Sequence, residues 1–314
     1  MLPVSLQNLQ ENIARVVIGK EESLNLLLIG LLAEGHILIE DVPGVGKTLM
    51  AKSLAASLNA EFHRLQCTPD LTPTDVTGFN IFDRNNNSFI FRPGPVVTNI
   101  LLVDEINRAV PRTQSSLLEA MEERQITVDG ETIKLPHPFL VVATQNPIEL
   151  EGTFPLPEAQ LDRFLLKITM GYPDAAEEEK ILLTHGSGNP LAMLKVVADS
   201  EEVLQWQELC RGIFVHQSIS SYIVSLVRAT RSHPAIILGA SPRASLALHR
   251  AVRALALLSG RKYVIPDDVK YMAQFVLPHR LSLKREERLR GVEAHQVLED
   301  ILAEVPVPLE ESSE

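Results

Sequence analysis

The period of the hydrophobic positions changes along this chain. Over the first half, short apolar runs alternate with amphipathic stretches. HILIE (36–40), EFHRLQ (61–66), ILLVDE (100–105), PFLVVATQN (138–146) and FLLKITM (164–170) read as strands. ILLVDE and PFLVVATQN are continuous apolar runs, the pattern of parallel strands buried on both faces. LMAKSLAASL (49–58) and TQSSLLEAMEERQ (113–125) carry helical spacing. Strands alternating with helices predict a parallel α/β sheet with right-handed crossovers. Two stretches interrupt the alternation. NIFDRNNNSFIFRPGP (80–95) places aromatic-containing runs around an Asp-Arg-Asn-Asn-Asn turn, and ITVDGETIKL (126–135) places Asp129-Gly130 between alternating runs. Both predict hairpins projecting from the α/β body, spanning about 79–95 and 125–136.

Around Gly171-Tyr172-Pro173-Asp174 the pattern turns helical, with little strand. Helices are predicted over 175–185, 200–213, 217–231, 242–260 and 266–281. Gly260 suits a helix C′ position, and Pro266-Asp267-Asp268 suits a helix start. The chain thus divides into an α/β unit (1–172) and a smaller helical unit (173–303). The tail 304–314, EVPVPLEESSE, is acidic, carries two prolines and is expected to be disordered. No internal repeat is visible.

Composition narrows the choices. With 45% hydrophobic and 22% charged residues, the 314-residue chain is a folded globular protein with room for a sizeable core. A formal net charge of -11 argues against a general nucleic-acid binder. The N-terminal stretch has no apolar h-region, and LNLLLIGLLA (24–33) is too short to span a bilayer, so it reads as a buried helix. Cys67 and Cys210 lie far apart with no metal-binding spacing, which suits a reducing compartment. A soluble, cytoplasmic protein is expected.

The candidate chemistry starts at DVPGVGKT (41–48), which ends like the phosphate-binding pattern G-x-x-x-x-G-K-[ST] but has Asp41 in place of the first glycine. A predicted strand precedes it and a predicted helix follows, the context a phosphate loop needs. Gly44 and Gly46 would let backbone N–H groups turn toward phosphate oxygens. Lys47 would reach the terminal phosphates and Thr48 would ligate Mg²⁺, while Pro43, Val45 and Leu49 complete the cradle. The Asp41 carboxylate is expected to point away from the phosphates. Strand 100–105 ends in two carboxylates: Asp104 would hold the metal, mostly through water, and Glu105 would polarise an attacking water. Asn146 ends the next strand and either orients that water or simply forms a turn before Pro147. The histidines show no ligand spacing, and Trp206 reads as core.

Together these features resemble the AAA+ ATPases, and in detail the MoxR family. The blocks GHILIEDVPGVGKT (35–48), QCTPDLTPTDVTG (66–78), LLVDEINRAVPRTQSSLLEAMEE (101–123), ATQNPIELEGTFPLPEAQLDRF (143–164) and GASPRA (239–244) all look like that family's signatures, and the resemblance runs over about 20–280. MoxR-like loops often carry this aspartate. The resemblance implies an αβα nucleotide-binding domain of strand order 5-1-4-3-2 with an all-α lid, and ATP held between them. It implies that Val17, Ile18 and Gly19 pack on adenine. Arg163 in LDRF would be an arginine finger serving a neighbouring subunit, with Glu158 positioning it. Arg243 in SPRA would be the residue through which the lid feels the γ-phosphate; Arg108 and Arg112 are further candidates for contacts between subunits. It implies a homo-oligomeric ring, most readily a hexamer, that hydrolyses ATP with Mg²⁺ to remodel or mature a protein client, with a von Willebrand factor A domain partner. The hairpins would line a central pore. Two rivals stand beside this reading: a nucleic-acid motor of the related class that shares the hairpin inserts, and a nucleotide-gated scaffold with little turnover.

Overall fold

The computed structural model of the protein describes residues 2–147, 152–186 and 188–308. Helices α1 (Val4–Ala14) and α2 (Glu21–Leu32) lead into β1 (His36–Glu40); α3 (Lys47–Ser57) carries the chain on to β2 (Phe62–Gln66). A short α4 (Pro73–Thr77) precedes the hairpin of β3 (Gly78–Asp83) and β4 (Ser88–Pro93). Then come β5 (Ile100–Asp104), α5 (Pro111–Glu123) and a second hairpin, β6 (Gln125–Val128) and β7 (Glu131–Lys134). Strand β8 (Leu140–Gln145), α6 (Glu158–Leu161) and β9 (Phe164–Ile168) complete the first half. The second half runs through α7 (Ala175–His185), α8 (Ser200–Arg211), α9 (Gln217–Ser232), β10 (Ile236–Leu238), α10 (Pro242–Leu258), α11 (Pro266–Val276), β11 (Ser282–Leu283), α12 (Arg285–Leu289) and α13 (Ala294–Glu304).

The main sheet has the order β2-β5-β8-β1-β9, with every neighbouring pair parallel. Counted by the predicted strands this is the expected 5-1-4-3-2. Leu38 and Val103 both stand opposite Ala143, and that register sorts the side chains onto two faces. Leu38, Val103, Ala143 and Phe164 pack under Leu117, Leu118 and Met121 of α5. Ile37, Ile39, Leu102 and Val142 pack under α1, α2 and α3. Alternate residues are therefore apolar on both sides, which is why these strands read as unbroken hydrophobic runs.

The second buried cluster does not stop at the α/β body. From α2 it continues into Trp206, Leu226, Leu248 and Met272 of the helical half. The Gln207 Nε2 donates to the Leu31 carbonyl (2.8 Å) in that same buried contact. Both hairpins form where predicted, and Asn80 of the first donates to Asp129 of the second (2.8 Å).

Several predicted elements differ. The helix expected over 266–281 ends at Val276, because Pro278 has no N–H to continue it; a 3-10 turn, Pro278–Arg280, follows. The helix expected over 113–125 starts two residues earlier, with Pro111 at its first position, and ends at Glu123 with Arg124 left-handed (φ 52°). The helical half contains a small antiparallel pair, β10 with β11. Of the tail, residue 304 closes α13, 305–308 lack regular structure and 309–314 lie outside the described residues. No helix among the described residues is long and apolar enough to cross a membrane.

Candidate active site

The glycine loop joins the C-terminal end of β1 to the start of α3. Gly44 (φ 89°) and Gly46 (φ 95°) are both left-handed, a conformation strained for any residue with a Cβ. A Cβ at either would meet nothing within 4 Å, so dihedral angle rather than space requires glycine there. Helix α3 opens at Lys47, which places Thr48 and Leu49 in its first turn among N–H groups that lack helical partners. Val45 is buried and anchors the loop in the core, whereas Pro43 is exposed. The Lys47 Nζ donates to the carbonyls of Asp41 (2.8 Å) and Val42 (3.1 Å). Partial burial lowers its pKa, and the carboxylates of Asp41, Asp104 and Glu105 oppose that shift. Lysine, loop and strand-end carboxylates thus form one electrostatic unit.

Asp41 points away from the loop mouth, as expected. One carboxylate oxygen accepts from the Val42 N–H (2.7 Å), and the other accepts from the N–H groups of Met170 and Gly171 (both 2.7 Å).

Asp104 is the last residue of β5, and Glu105 leaves the strand in a left-handed conformation (φ 57°). That kink turns Glu105 off the strand direction. Thr144 of β8 ties the pair together: its hydroxyl donates to Asp104 (3.3 Å) and accepts from the Glu105 N–H (3.0 Å). Arg64 of β2 pairs with Asp104 (2.5 Å). Gln66, at the end of β2, donates to Glu105 (2.8 Å), and Arg108 pairs with the same Glu105 oxygen (3.1 Å). Arg108 therefore has a partner within its own chain, while Arg112 is exposed on the first turn of α5. Asn146 follows β8 directly and is half-buried at the same sheet edge. Residues 148–151 of the block 143–164 lie outside the described residues.

Val17 and Ile18 are buried in the turn between α1 and α2, and Gly19 is left-handed (φ 70°). A Cβ on Gly19 would lie 2.2 Å from the Glu177 carboxyl carbon, so the segment sits against the first turn of α7.

Arg163 and Arg243 come together on a residue that sequence reasoning missed. Glu122 of α5 takes the Arg163 Nε at 3.0 Å on one oxygen and an Arg243 Nη at 2.8 Å on the other. Glu158, expected to position Arg163, instead accepts from the Ser282 hydroxyl (2.8 Å). The backbone on either side of Arg163 is held by Arg280, also missed. Its guanidinium pairs with the Asp162 carboxylate (2.6 Å) and donates to the carbonyls of Asp162 (3.1 Å) and Phe164 (2.5 Å). Burial pushes the Arg280 pKa down to about 10, with Asp162 opposing. Ser241 adds a further bond to Asp162 (3.3 Å).

Known proteins resemble this chain in sequence and fold. The model of the ATPase family associated with various cellular activities (AAA) matches residues 36–166, and that of the AAA lid domain matches 228–301. YeaC of Bacillus subtilis, itself uncharacterized, is 50% identical over 96% of this chain and 95% of its own length. Chaperone MoxR1 of Mycobacterium tuberculosis is 44% identical over 94% of this chain and 80% of its own. The crystal structure of a candidate ATPase from Cytophaga hutchinsonii superposes with a TM-score of 0.92 at 38% identity, covering 98% of this chain and 96% of that one. Glycine loop, paired strand-end carboxylates and helical lid occur here in one chain that matches its relatives nearly end to end, and on that ground it belongs to the MoxR family of AAA+ ATPases.

Proposed function

We propose that this chain hydrolyses Mg²⁺-bound ATP at sites completed between neighbouring copies in a ring, most readily a hexamer, and uses the cycle to remodel a protein client. One observation carries the hydrolysis: Asp104 and Glu105, at the end of β5 with only β8 between it and β1, lie near enough to Lys47 for their charge to oppose its pKa shift, beside a loop whose glycines are held left-handed. The loop N–H groups, including those of Thr48 and Leu49, and the Lys47 ammonium would bind the phosphates. Val17, Ile18 and Gly19 would bind the base.

The residues present fit a magnesium ion, which asks for one or two protein oxygens beside phosphate. Asp104, with Thr144 orienting it, and the Thr48 hydroxyl are the candidates. Bound there, the ion would neutralise phosphate charge. Glu105 would take the proton of the attacking water, held in place by the Thr144 bond to its N–H and by Gln66 and Arg108 on its carboxylate. Asn146 would orient the same water.

Arg163 and Arg243 share Glu122, which places the two guanidinium groups side by side. An arginine finger is worth ~10³–10⁵ in rate. That Arg163 is bound to Glu122 rather than to its own loop supports its role toward a neighbour's phosphates, with Arg243 as the residue through which the lid would feel the γ-phosphate. The protein client is supported by the first hairpin, which leaves Phe79, Ile81, Phe82, Phe89 and Ile90 exposed. The second hairpin sets one Lys134 against Asp129 and Glu131, a poor surface for nucleic acid. A von Willebrand factor A domain protein is the partner proposed on the family resemblance, and the cytoplasm the location.

The test is ATPase rate per subunit against protein concentration with Mg²⁺, beside Lys47→Ala. The specific rate is expected to climb and saturate, and the variant to be inactive. A flat rate from a protein that sizes as a monomer would overturn the shared site. No hydrolysis at any concentration would leave a nucleotide-gated scaffold, and stimulation by DNA would revive a nucleic-acid motor.

A further inference from the structure

The aspartate that replaces the first loop glycine has a counterpart. Asp41 accepts the N–H groups of Met170 and Gly171, and the Lys20 Nζ donates to the carbonyls of the same two residues, each at 3.1 Å. All four backbone polar groups of this dipeptide are thus held by two side chains of opposite charge. Both side chains are buried, Asp41 at 6% exposure and Lys20 at 7%. Met170 and Gly171 are the exit from β9 toward α7, where the helical half begins.

The two holders come from the two segments expected to touch nucleotide. Lys20 directly follows Val17-Ile18-Gly19, and Asp41 opens the glycine loop. Asp41 also touches the nucleotide-facing side through its backbone, since its carbonyl accepts from Lys47. Gly19 lies against Glu177 of α7, the helix into which the linker leads. Burying two charges is costly unless every proton and lone pair is answered, and an ordinary loop-to-strand contact requires neither charge. Glycine at position 41 would satisfy the phosphate loop alone. The carboxylate serves the linker.

We propose that Asp41 and Lys20 are positioning residues that clamp the Met170–Gly171 linker to the nucleotide loop and the base-binding segment. Movement of Lys47 onto phosphate releases the Asp41 carbonyl and shifts the residue whose carboxylate holds the linker. The start of the helical half then follows the nucleotide. The coupling rests on the ATPase reading; the clamp itself does not.

The experiment compares the full-length protein with Asp41→Gly, which restores the ordinary loop pattern, and Lys20→Met, which leaves the loop untouched. Three quantities are read: affinity for a fluorescent ATP analogue, kcat, and hydrogen exchange at the Met170 and Gly171 amides with and without the analogue. In the wild type those amides are expected to be protected, and further protected by nucleotide. In both variants exchange there should rise ~10-fold or more and lose its response to nucleotide. Affinity should stay within ~3-fold while kcat falls ~10-fold, because the groups are bound but misplaced. Unchanged exchange in Asp41→Gly overturns the clamp, as does loss of affinity and kcat together with exchange at 170–171 unaltered, which would confine Asp41 to the loop. If Asp41→Gly does not fold, Lys20→Met decides by the same readings. A wild type that hydrolyses no ATP would sink the ATPase reading, while exchange without nucleotide would still test the clamp.

Discussion

Glu122 is one carboxylate holding two guanidinium groups, which would otherwise repel each other and splay apart. It is partly exposed, so its value lies in placement rather than in stability. Glu122→Ala should lower kcat ~10-fold with KM nearly unchanged, because groups that act only on the developing charge would be misplaced. Glu122→Gln should be milder, since an amide oxygen still accepts from one arginine. Steady-state kinetics at saturating protein concentration separate the two. A faster Glu122→Ala enzyme would instead make Glu122 a latch that restrains the arginines. Nothing in the sequence distinguishes this residue. Glu119, Glu122 and Glu123 sit together on one helix, and the pairing with Arg163 and Arg243 arises only when the sheet and lid bring distant segments together. Asp41 was the opposite case: it stood out as an exception to a pattern, and its direction followed from charge alone. Which backbone it would hold, some 130 residues away, did not.

Strands β1, β5, β8 and β9 were legible because they are buried on both faces, and β1 shows how far that burial reaches into chemistry. His36 begins β1, fully enclosed, with its ring edge-on to Phe139 at 5.5 Å. Its Nδ1 accepts from the Val141 N–H (3.0 Å), so the neutral ring donates through Nε2 to the Met121 carbonyl (3.0 Å). Burial pushes its pKa down to about 4 from the usual 6.5. The unfolded ring takes up a proton below about 6.5 and the folded ring only near 4. Stability is therefore whole above the upper value and drains as pH falls toward the lower one. The gap is worth about 3 kcal/mol. His36→Asn keeps an acceptor for Val141, so urea unfolding should find it less stable at pH 7 but with a smaller loss between pH 7 and 4.5. An unchanged loss would assign the acid sensitivity elsewhere, burial also lowering the pKa of His279 and of the half-buried His249. Other elements were out of reach of periodicity for plain reasons. Strands β10 and β11 have three and two residues, too few to show a period. The end of α11 was written in Pro278, but the apolar spacing ran through it.

At the scale of the whole molecule, the proposed reading divides the chemistry between two side-chain clusters that share no hydrogen bond or ion pair among the described residues. Lys47, Asp104 and Glu105 form one electrostatic unit; Arg163 and Arg243 form another, locked to the lid by Arg280 and Ser241 through Asp162. Arg243 is on α10, and Arg280 and Ser241 of the helical half hold Asp162 beside Arg163, so the arginine pair and the helical half should move together. If hydrolysis needs both clusters and they meet only between copies, two dead variants should repair each other. Lys47→Ala retains a working arginine pair, and Arg163→Ala retains a working loop. Each alone is expected to be inactive. Mixed at equal amounts in a randomly assembled ring, roughly a quarter of the interfaces would place an intact loop beside an intact arginine, and ATPase activity should return to about that fraction of the wild type. The preparation must exchange subunits, which labelled wild-type protein would establish under the same conditions. Recovery cannot arise from sites built within one chain, because every chain in the mixture lacks one half. No recovery in rings that demonstrably mix would return Arg163 to its own chain, and the Glu122 cluster would then be a support of the fold rather than the donor side of an active site.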